Sequence, residues 1–157
     1  MDYMTEIRKK AAEVQEEQKN SETDYHQMTA PCGLPCFECY AYIANNSSEL
    51  QTLISQVLRI PPELAVCKGC RNKEGKIKHL PMECRVYPCA EKKEIEFCCD
   101  CSDFPCDFFH PYMDNAIMWH NTKVFNLCLI KRMGLEVWAI EKAGMVLDTY
   151  SFGKWRL

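Results

Sequence analysis

The sequence lacks the long apolar runs that a membrane protein needs. No stretch of it approaches the ~18 consecutive apolar residues of a transmembrane helix. Its N-terminal segment also has no apolar core of the length that a secretory signal needs: MDYMTEIRKKAAEVQEEQKNSETDYHQM. If the chain is complete, we therefore expect a cytoplasmic protein with no membrane partner.

Basic charge is not in excess either. The 19 Lys and Arg are outnumbered by 22 Asp and Glu, which gives a net charge of −3. A basic strip (68–93) adjoins an acidic one (94–114), but the basic strip lacks the interleaved aromatic residues of a surface that binds single-stranded nucleic acid. We interpret its lysines as compensation for thiolate charge at metal sites. Nucleic acid is thus not an expected partner, and another protein is the partner class left open.

The usual catalytic signatures are missing as well. The sequence has no HExxH, no Ser-His-Asp order, no phosphate-binding glycine loop and no dinucleotide fingerprint. Asp100, Asp103 and Asp107 lie close together in sequence, where we expect them to be solvated or bonded to loop N–H groups. The remaining catalytic hypothesis is an exposed thiolate, such as Cys99, that acts as a nucleophile. No reaction is predicted, and a non-enzymatic role is favoured.

What the sequence has in quantity is cysteine. It contains 12 cysteines in 157 residues, and all but Cys128 lie between Cys32 and Cys106. Without them, only roughly 39% of the residues are ordinary apolar ones, somewhat below the usual globular share. Thiols stay reduced in the cytoplasm, so cysteines at this density are interpreted as metal ligands rather than as a disulfide framework. Cys128 lies within an apolar helical segment, and we expect it to be a small buried hydrophobic residue.

The spacing of the other cysteines indicates bound metal. Three pairs have the two-residue separation that lets one tight turn present both sulfurs to one ion: Cys36/Cys39, Cys67/Cys70 and Cys98/Cys101. Inside the second pair, Gly69 can adopt the positive φ that such a turn needs. The remaining candidate ligands in the same region are Cys32, Cys84, Cys89 and Cys106.

Ten candidate ligands are more than two zinc ions require. Zinc takes four ligands in a tetrahedron, and the simplest local set is Cys67, Cys70, Cys84 and Cys89. The surplus could belong to a third, mixed site with His79 or His110, to two free thiols, or to an iron–sulfur cluster. We expect each histidine to be a surface residue or a partner of a ligand rather than a ligand itself.

The Cys32, Cys36 and Cys39 run also resembles the cluster motif of radical enzymes that use S-adenosylmethionine. Those enzymes are built on a β/α barrel of at least ~200 residues. The present chain is too short for that fold, and its aromatic residue, Phe37, is not in the position just before the last cysteine. We therefore set this resemblance aside.

The predicted fold class is mainly α, with short irregular β and zinc-knuckle segments, in a small cysteine-rich domain that metal stabilises. We expect a polar N-terminal helix and linker (1–28), a cysteine-rich metal-binding region (29–110) and a C-terminal helical cap (111–157) that forms one compact unit with it. The N-terminal helix is expected to be mostly solvated, because its apolar stripe is weak.

Several local elements follow from capping and periodicity. Short helices are expected over 40–44 and 85–94, and a strand stub over 94–97. Ser48 begins a capping box before an amphipathic helix that Pro61 and Pro62 terminate. Asn121 is expected to cap a helix that ends at Gly134, and a second helix, over 135–143, to end at Gly144.

Several segments, in this order, resemble the bacterial and archaeal family called domain of unknown function 3795. They are CGLPCFECYAYIA (32–44), CKGCR (67–71), CRVYPCAEKKEIEFC (84–98), CSDFPC (101–106) and IKRMGLEVWAIE (130–141). The likeness covers about residues 30–143. It implies a small cytoplasmic protein that is presumed to bind zinc and has no established reaction.

The resemblance also implies which cysteines matter. The family's cysteines correspond by position to Cys32, Cys36, Cys39, Cys67, Cys70, Cys84, Cys89, Cys98, Cys101 and Cys106. Cys99 stands where relatives often carry an aromatic residue. Some relatives end in a further CxxC, whereas this chain ends in SFGKWRL, which removes support for a third, terminal metal site.

Two functional hypotheses remain. The first is a zinc-binding protein of unknown biochemical activity, in which two zinc ions are mainly structural and the role is interaction or scaffolding. The alternative is an iron–sulfur or thiol redox protein, because the sulfur ligands exceed the number that two zinc sites need.

Overall fold

The computed structural model describes residues 3–18, 23–73, 83–113 and 119–154. The protein is mainly helical, which confirms the predicted fold class. Its helices are α1 (Tyr3–Glu17), α2 (Tyr25–Met28), α3 (Tyr40–Ile43), α4 (Ser48–Leu58), α5 (Val86–Lys92), α6 (Lys123–Met133), α7 (Leu135–Trp138) and α8 (Gly144–Phe152). Short 3-10 turns that carry or flank cysteines include Cys36–Glu38, Arg71–Lys73, Cys98–Asp100 and Asp107–Phe109.

Extended structure is nearly absent from the part of the chain that is described. It is limited there to one isolated antiparallel bridge between Thr29 and Pro35. The strand stub expected over 94–97 is wrong. Glu94 has a φ of +53°, so the backbone turns where a strand would have to continue.

The buried side chains form two hydrophobic clusters. The larger cluster is centred on Trp138 and Leu127, both completely buried, and it includes three cysteines: Cys32, Cys98 and Cys99. Phe37, from the loop between Cys36 and Cys39, packs edge-on against Trp138 with the ring centroids 6.1 Å apart. The larger core therefore supports the cysteine-rich loops directly.

The smaller cluster includes α1, which contributes more than the sequence suggested. Most of its side chains are exposed, as expected, but Ile7, Ala11 and Val14 are 3%, 1% and 5% exposed. They recur at intervals of four and three residues and pack against Leu50 and Ile54 of α4. The stripe is narrow because it contains one alanine, yet it is continuous, so α1 is part of the folded unit.

Helix α4 begins one residue earlier than its predicted cap implied. The N-cap is Ser47, whose side chain accepts a hydrogen bond from the backbone N–H of Leu50 at 3.2 Å. Ser48 is the first helical residue. Two adjacent serines are chemically equivalent caps, and the extended backbone of Ser47 (φ −150°) decides between them.

Helix α6 corrects two expectations and confirms a third. Thr122 precedes α6, whereas Asn121 instead bonds the backbone of Tyr112 through both its amide atoms. Cys128, expected in the core, is exposed because the buried face of α6 is formed by Asn126, Leu127, Leu129 and Ile130. Gly134 ends α6 as predicted, with a φ of +86°.

The helix after Gly134 does not end at Gly144. It passes through a π-helical stretch (Ala139–Ala143) and continues as α8 to Phe152. Gly144 has helical angles (φ −61°, ψ −42°), and a Cβ there would lie 3.2 Å from Oε1 of Glu38. The glycine therefore allows close approach of the loop between Cys36 and Cys39 and does not act as a helix terminator.

Among the described residues, no helix is both long and apolar enough to cross a membrane.

The packing of α1 can be tested with two adjacent alanines. Ala11 is buried and Ala12 is exposed. We expect Ala11→Asp to lower the free energy of unfolding by about 3 kcal/mol, because it buries an unpaired carboxylate. Ala12→Asp has the same cost in helix propensity but leaves the carboxylate exposed, so it should lower the free energy of unfolding by less than about 1 kcal/mol. Denaturant unfolding measures both, and equal, small effects would show that α1 is not packed as described.

Candidate metal centre

By their electrostatic interactions and by a shared cavity, we sort eight of the ten candidate cysteines into two groups of four. We call Cys36, Cys39, Cys67 and Cys70 the first thiol group. The Cys36 and Cys70 thiols are hydrogen bonded, and the charges of Cys39 and Cys67 both interact with that of Cys36. Two CxxC loops that are distant in sequence therefore meet at one place.

The backbone holds the first thiol group together. The N–H of Cys67 donates to the carbonyl of Ala41 at 2.8 Å, which joins the two loops. Gly69, at φ +85°, directs its N–H to Sγ of Cys67 at 3.4 Å. The backbone N–H groups of Ala41 and Tyr42 act to lower the pKa of Cys39, although burial outweighs them. Such N–H···S bonds stabilise a thiolate, so the loops are shaped for anionic sulfur.

The pKa values in the first group show how closely the sulfurs are packed. The hydrogen bond from Cys70 lowers the pKa of Cys36 to about 7 and raises the pKa of Cys70. Burial, followed by the charge of Cys36, raises the pKa of Cys39 to about 12. Several neighbouring thiols cannot all ionise without a cation to balance them.

We call Cys89, Cys98, Cys101 and Cys106 the second thiol group. All four line one cavity of about 380 Å³, together with apolar side chains that include Val86, Ala90, Phe104 and Phe109. Cys89 lies on α5, while Cys98 and Cys101 flank one 3-10 turn and Cys106 precedes another. Burial, and then the charges of Cys32 and the other three members, raise the pKa of Cys98 to about 12.

A lysine contacts the second thiol group. Nζ of Lys93 lies 3.1 Å from Sγ of Cys101 and 2.5 Å from a carboxylate oxygen of Asp103. The backbone N–H of Asp103 and the Lys93 ammonium together lower the pKa of Cys101. This contact supports the interpretation that lysines of the basic strip compensate thiolate charge.

The last two candidate ligands, Cys32 and Cys84, both interact with the first group, and Cys32 also interacts with the second. The charge of Cys32 interacts with those of Cys84 and Cys36, and it also raises the pKa of Cys98 in the second group. Cys70 in turn interacts with both Cys32 and Cys84. Burial raises the pKa of Cys32, and Lys123 opposes that effect.

This arrangement differs from the simplest local set, which joined Cys67 and Cys70 to Cys84 and Cys89. Cys67 and Cys70 both interact with Cys36, Cys70 interacts with Cys84 as well, and Cys89 lines the cavity of the second group. Proximity in sequence favoured the local set, whereas the bond between Cys67 and Ala41 selects the distant partner.

The donor set suits a thiophilic metal. Cysteine sulfur is the preferred donor for zinc and for iron–sulfur clusters, and both use sets of four. Within the described ranges, no three Cys, His, Asp or Glu side chains already converge in the geometry of a bound ion.

Comparison with known proteins gives one match. A family model described as "Protein of unknown function (DUF3795)" matches residues 28–111. The chain belongs to the DUF3795 family. No curated protein and no solved structure matches it. The matched range contains all ten candidate ligands, and the family description assigns them neither a metal nor a reaction.

Cys99 and Cys128 are not members of either thiol group. Cys99 is 2% exposed, and burial raises its pKa to about 11, which is the opposite of what an activated nucleophile needs. Its carbonyl accepts a hydrogen bond from Lys131 of α6 at 2.8 Å. The catalytic hypothesis for Cys99 therefore has no support in the structure of this DUF3795 protein.

Of the two histidines that were considered as ligands, the structure describes only one. His110 is exposed, and its Nε2 lies 3.3 Å from a carboxylate oxygen of Asp107, as expected of a surface residue. His79 lies outside the described residues.

Sequence reasoning missed Arg71, which anchors the first thiol group. Its guanidinium donates to the carbonyls of Thr29 and Glu96, both at 2.9 Å, and lies over the ring of Phe97. Its charge also lowers the pKa of Cys36. The signal available in the sequence was an arginine directly after CxxC, which does not reveal such distant partners.

We expect Arg71→Ala to lower the free energy of unfolding by about 2 kcal/mol, because two charge-assisted hydrogen bonds are lost and the carbonyl of buried Thr29 is left without this donor. Lys68→Ala is the matched control, since it removes an exposed cation from the same loop. It should cost less than about 0.5 kcal/mol. Equal losses in the two variants, measured by denaturant unfolding, would mean that Arg71 acts only through its charge.

Proposed function

We propose that this protein binds two zinc ions, one in each thiol group, and that the ions stabilise the cysteine-rich half of the fold. The observation that carries this proposal is that eight cysteines can be sorted into two sets of four, one from two CxxC loops distant in sequence and one from a single segment that lines a cavity. Four thiolates form a closed tetrahedral site, which is the arrangement of structural zinc.

The local structure supports a structural role. The segments that carry the thiols are 3-10 turns and loops, which have few backbone hydrogen bonds of their own. In small domains of this kind, zinc binding contributes about 10–16 kcal/mol to folding. Without the metal, several thiols whose pKa values are raised by burial would have to remain protonated and close together.

The charges around the thiols support the same proposal. A zinc ion with four thiolates carries a net charge of −2. Arg71 acts on Cys36, Lys123 on Cys32 and Lys93 on Cys101, and each of these cations lowers the pKa of its cysteine. Cations placed at both groups would offset the negative charge of two loaded centres.

One observation favours an iron–sulfur cluster at the second thiol group. Its cavity of about 380 Å³ is larger than a single ion with Zn–S bonds of ~2.3 Å requires. A cluster held by four thiolates would occupy more of that space. The two candidate functions predict different metals and different colours.

Metal analysis decides between them. For protein purified without oxygen, we expect a colourless solution with about two zinc ions per chain. Iron and sulfide in the protein, with absorbance near ~400 nm, would contradict zinc at that centre and support the cluster. Absence of both metals would contradict metal binding altogether.

Removal of the metal should unfold the protein. We expect that removal of both ions by a strong chelator in excess will abolish most of the helical circular dichroism, because metal binding in small domains of this kind is coupled to folding. Cys128→Ser is a control that removes an exposed thiol outside both groups, and it should behave as the wild type. Full helicity in verified metal-free protein would contradict the structural role.

Lys93 should strengthen metal binding at the second group. Lys93→Met removes the ammonium 3.1 Å from Sγ of Cys101, so a centre with negative charge loses a stabilising cation. We expect the zinc dissociation constant of this group to rise several-fold in competition with a chelating dye. Lys92→Met, at the exposed neighbouring position on α5, is the matched control and should leave it unchanged. Identical constants for the two variants would exclude a direct role of Lys93.

A further inference from the structure

We propose that the second thiol group is an exchangeable metal centre, which gives its ion to small chelating ligands, whereas the first thiol group retains its ion. The inference rests on the proposed function, because it assumes that both groups hold metal. The inference is based on the difference in how far the protein encloses each of the two thiol groups.

The first thiol group is closed on several sides. Cys36 is 8% exposed and no member of the group is fully exposed. The ring of Tyr42 packs over Gly69, with a ring carbon 3.3 Å from the place of a Cβ, and Phe37 packs against Trp138 in the larger core. The other three members are half-buried, and the bond between Cys67 and Ala41 resists the opening of the two CxxC loops that would expose Cys36 to a chelator.

The second thiol group faces a cavity that reaches the surface. Cys106 is exposed, Cys89 and Cys101 are half-buried, and Cys98 alone is buried. Lys93 and Asp103 line the cavity with side chains that are 37% and 66% exposed. A small ligand can therefore approach Cys106 and Cys101 without separation of the loops.

The exchange step needs no oxidant or reductant. A donor atom of the incoming chelator forms a bond to zinc as the bond between zinc and Sγ of Cys106 breaks. The proton that the chelator's hydroxyl loses on binding would be transferred through water to the freed thiolate of Cys106. The other three Zn–S bonds would break as further chelator donor atoms bind, and those thiolates would take their protons from the buffer, so that all four sulfurs end as thiols.

The test follows zinc release from the doubly loaded protein with the dye 4-(2-pyridylazo)resorcinol in excess. We expect two phases of equal amplitude, with the first at least about tenfold faster, and helicity retained after the first phase. Alkylation with iodoacetamide at the end of the first phase, followed by peptide mapping, should label Cys89, Cys98, Cys101 and Cys106. The thiols of the first group should stay protected.

Two variants with exposed positions give a matched comparison. Cys106→Ser should lose the fast phase and bind about one zinc ion, because three thiolates hold the ion less tightly. Cys128→Ser should retain both phases. Release of both ions in one phase, or labelling of the first group before the second, would overturn the inference. Fewer than two bound ions in the wild type would instead contradict the proposed function.

Discussion

The structure depends on the compensation of closely packed thiols. Each group brings four sulfurs together, and burial raises the pKa of Cys39 and Cys98 to about 12. The chain offsets this increase in pKa with N–H groups directed at sulfur, such as that of Gly69, and with cations such as Lys93. These requirements explain why most cysteines of the two groups lie in turns or beside helix ends: N–H groups inside a regular helix are already bonded, whereas those of turns and of a first helical turn can donate to sulfur. The hydrophobic clusters then pack around loops whose path is set by sulfur.

The helices were predictable to the extent that their signals are local. The amphipathic stripe of α4 and the glycine after α6 depend only on neighbours in sequence, and both predictions were confirmed. Gly144 was assigned to a helix end because glycine usually occurs there, but it accommodates Glu38 from a distant loop. Cys128 was assigned to the core because its neighbours are apolar, although it does not lie on the buried face of α6. Both errors arise because a tertiary contact, and not the local sequence pattern, determines the place of the residue in the fold.

Local sequence patterns are equally limited at the candidate site. The identities of the ten cysteines follow from spacing and from the family match, which covers residues 28–111. Their division does not, because it depends on contacts such as the bond from Cys67 to Ala41 and on the cavity that collects Cys89 with Cys106. The first thiol group joins two CxxC loops that are distant in sequence, whereas the second lies within residues 89–106. A metal ion held by the first group would close the longer loop and so would constrain the unfolded chain more strongly.

Cys32 and Cys84 give the two centres a physical connection. Cys32 is buried and interacts electrostatically with members of both groups, while Cys84 interacts with Cys32 and Cys70. A metal ion bound in either group would change the local charge, and that change would act on Cys32 because the protein interior screens charge weakly. Lys123 is the cation that lowers the pKa of Cys32. The two cysteines outside the groups therefore have a defined place: both interact with the first group, and Cys32 also acts on Cys98 of the second.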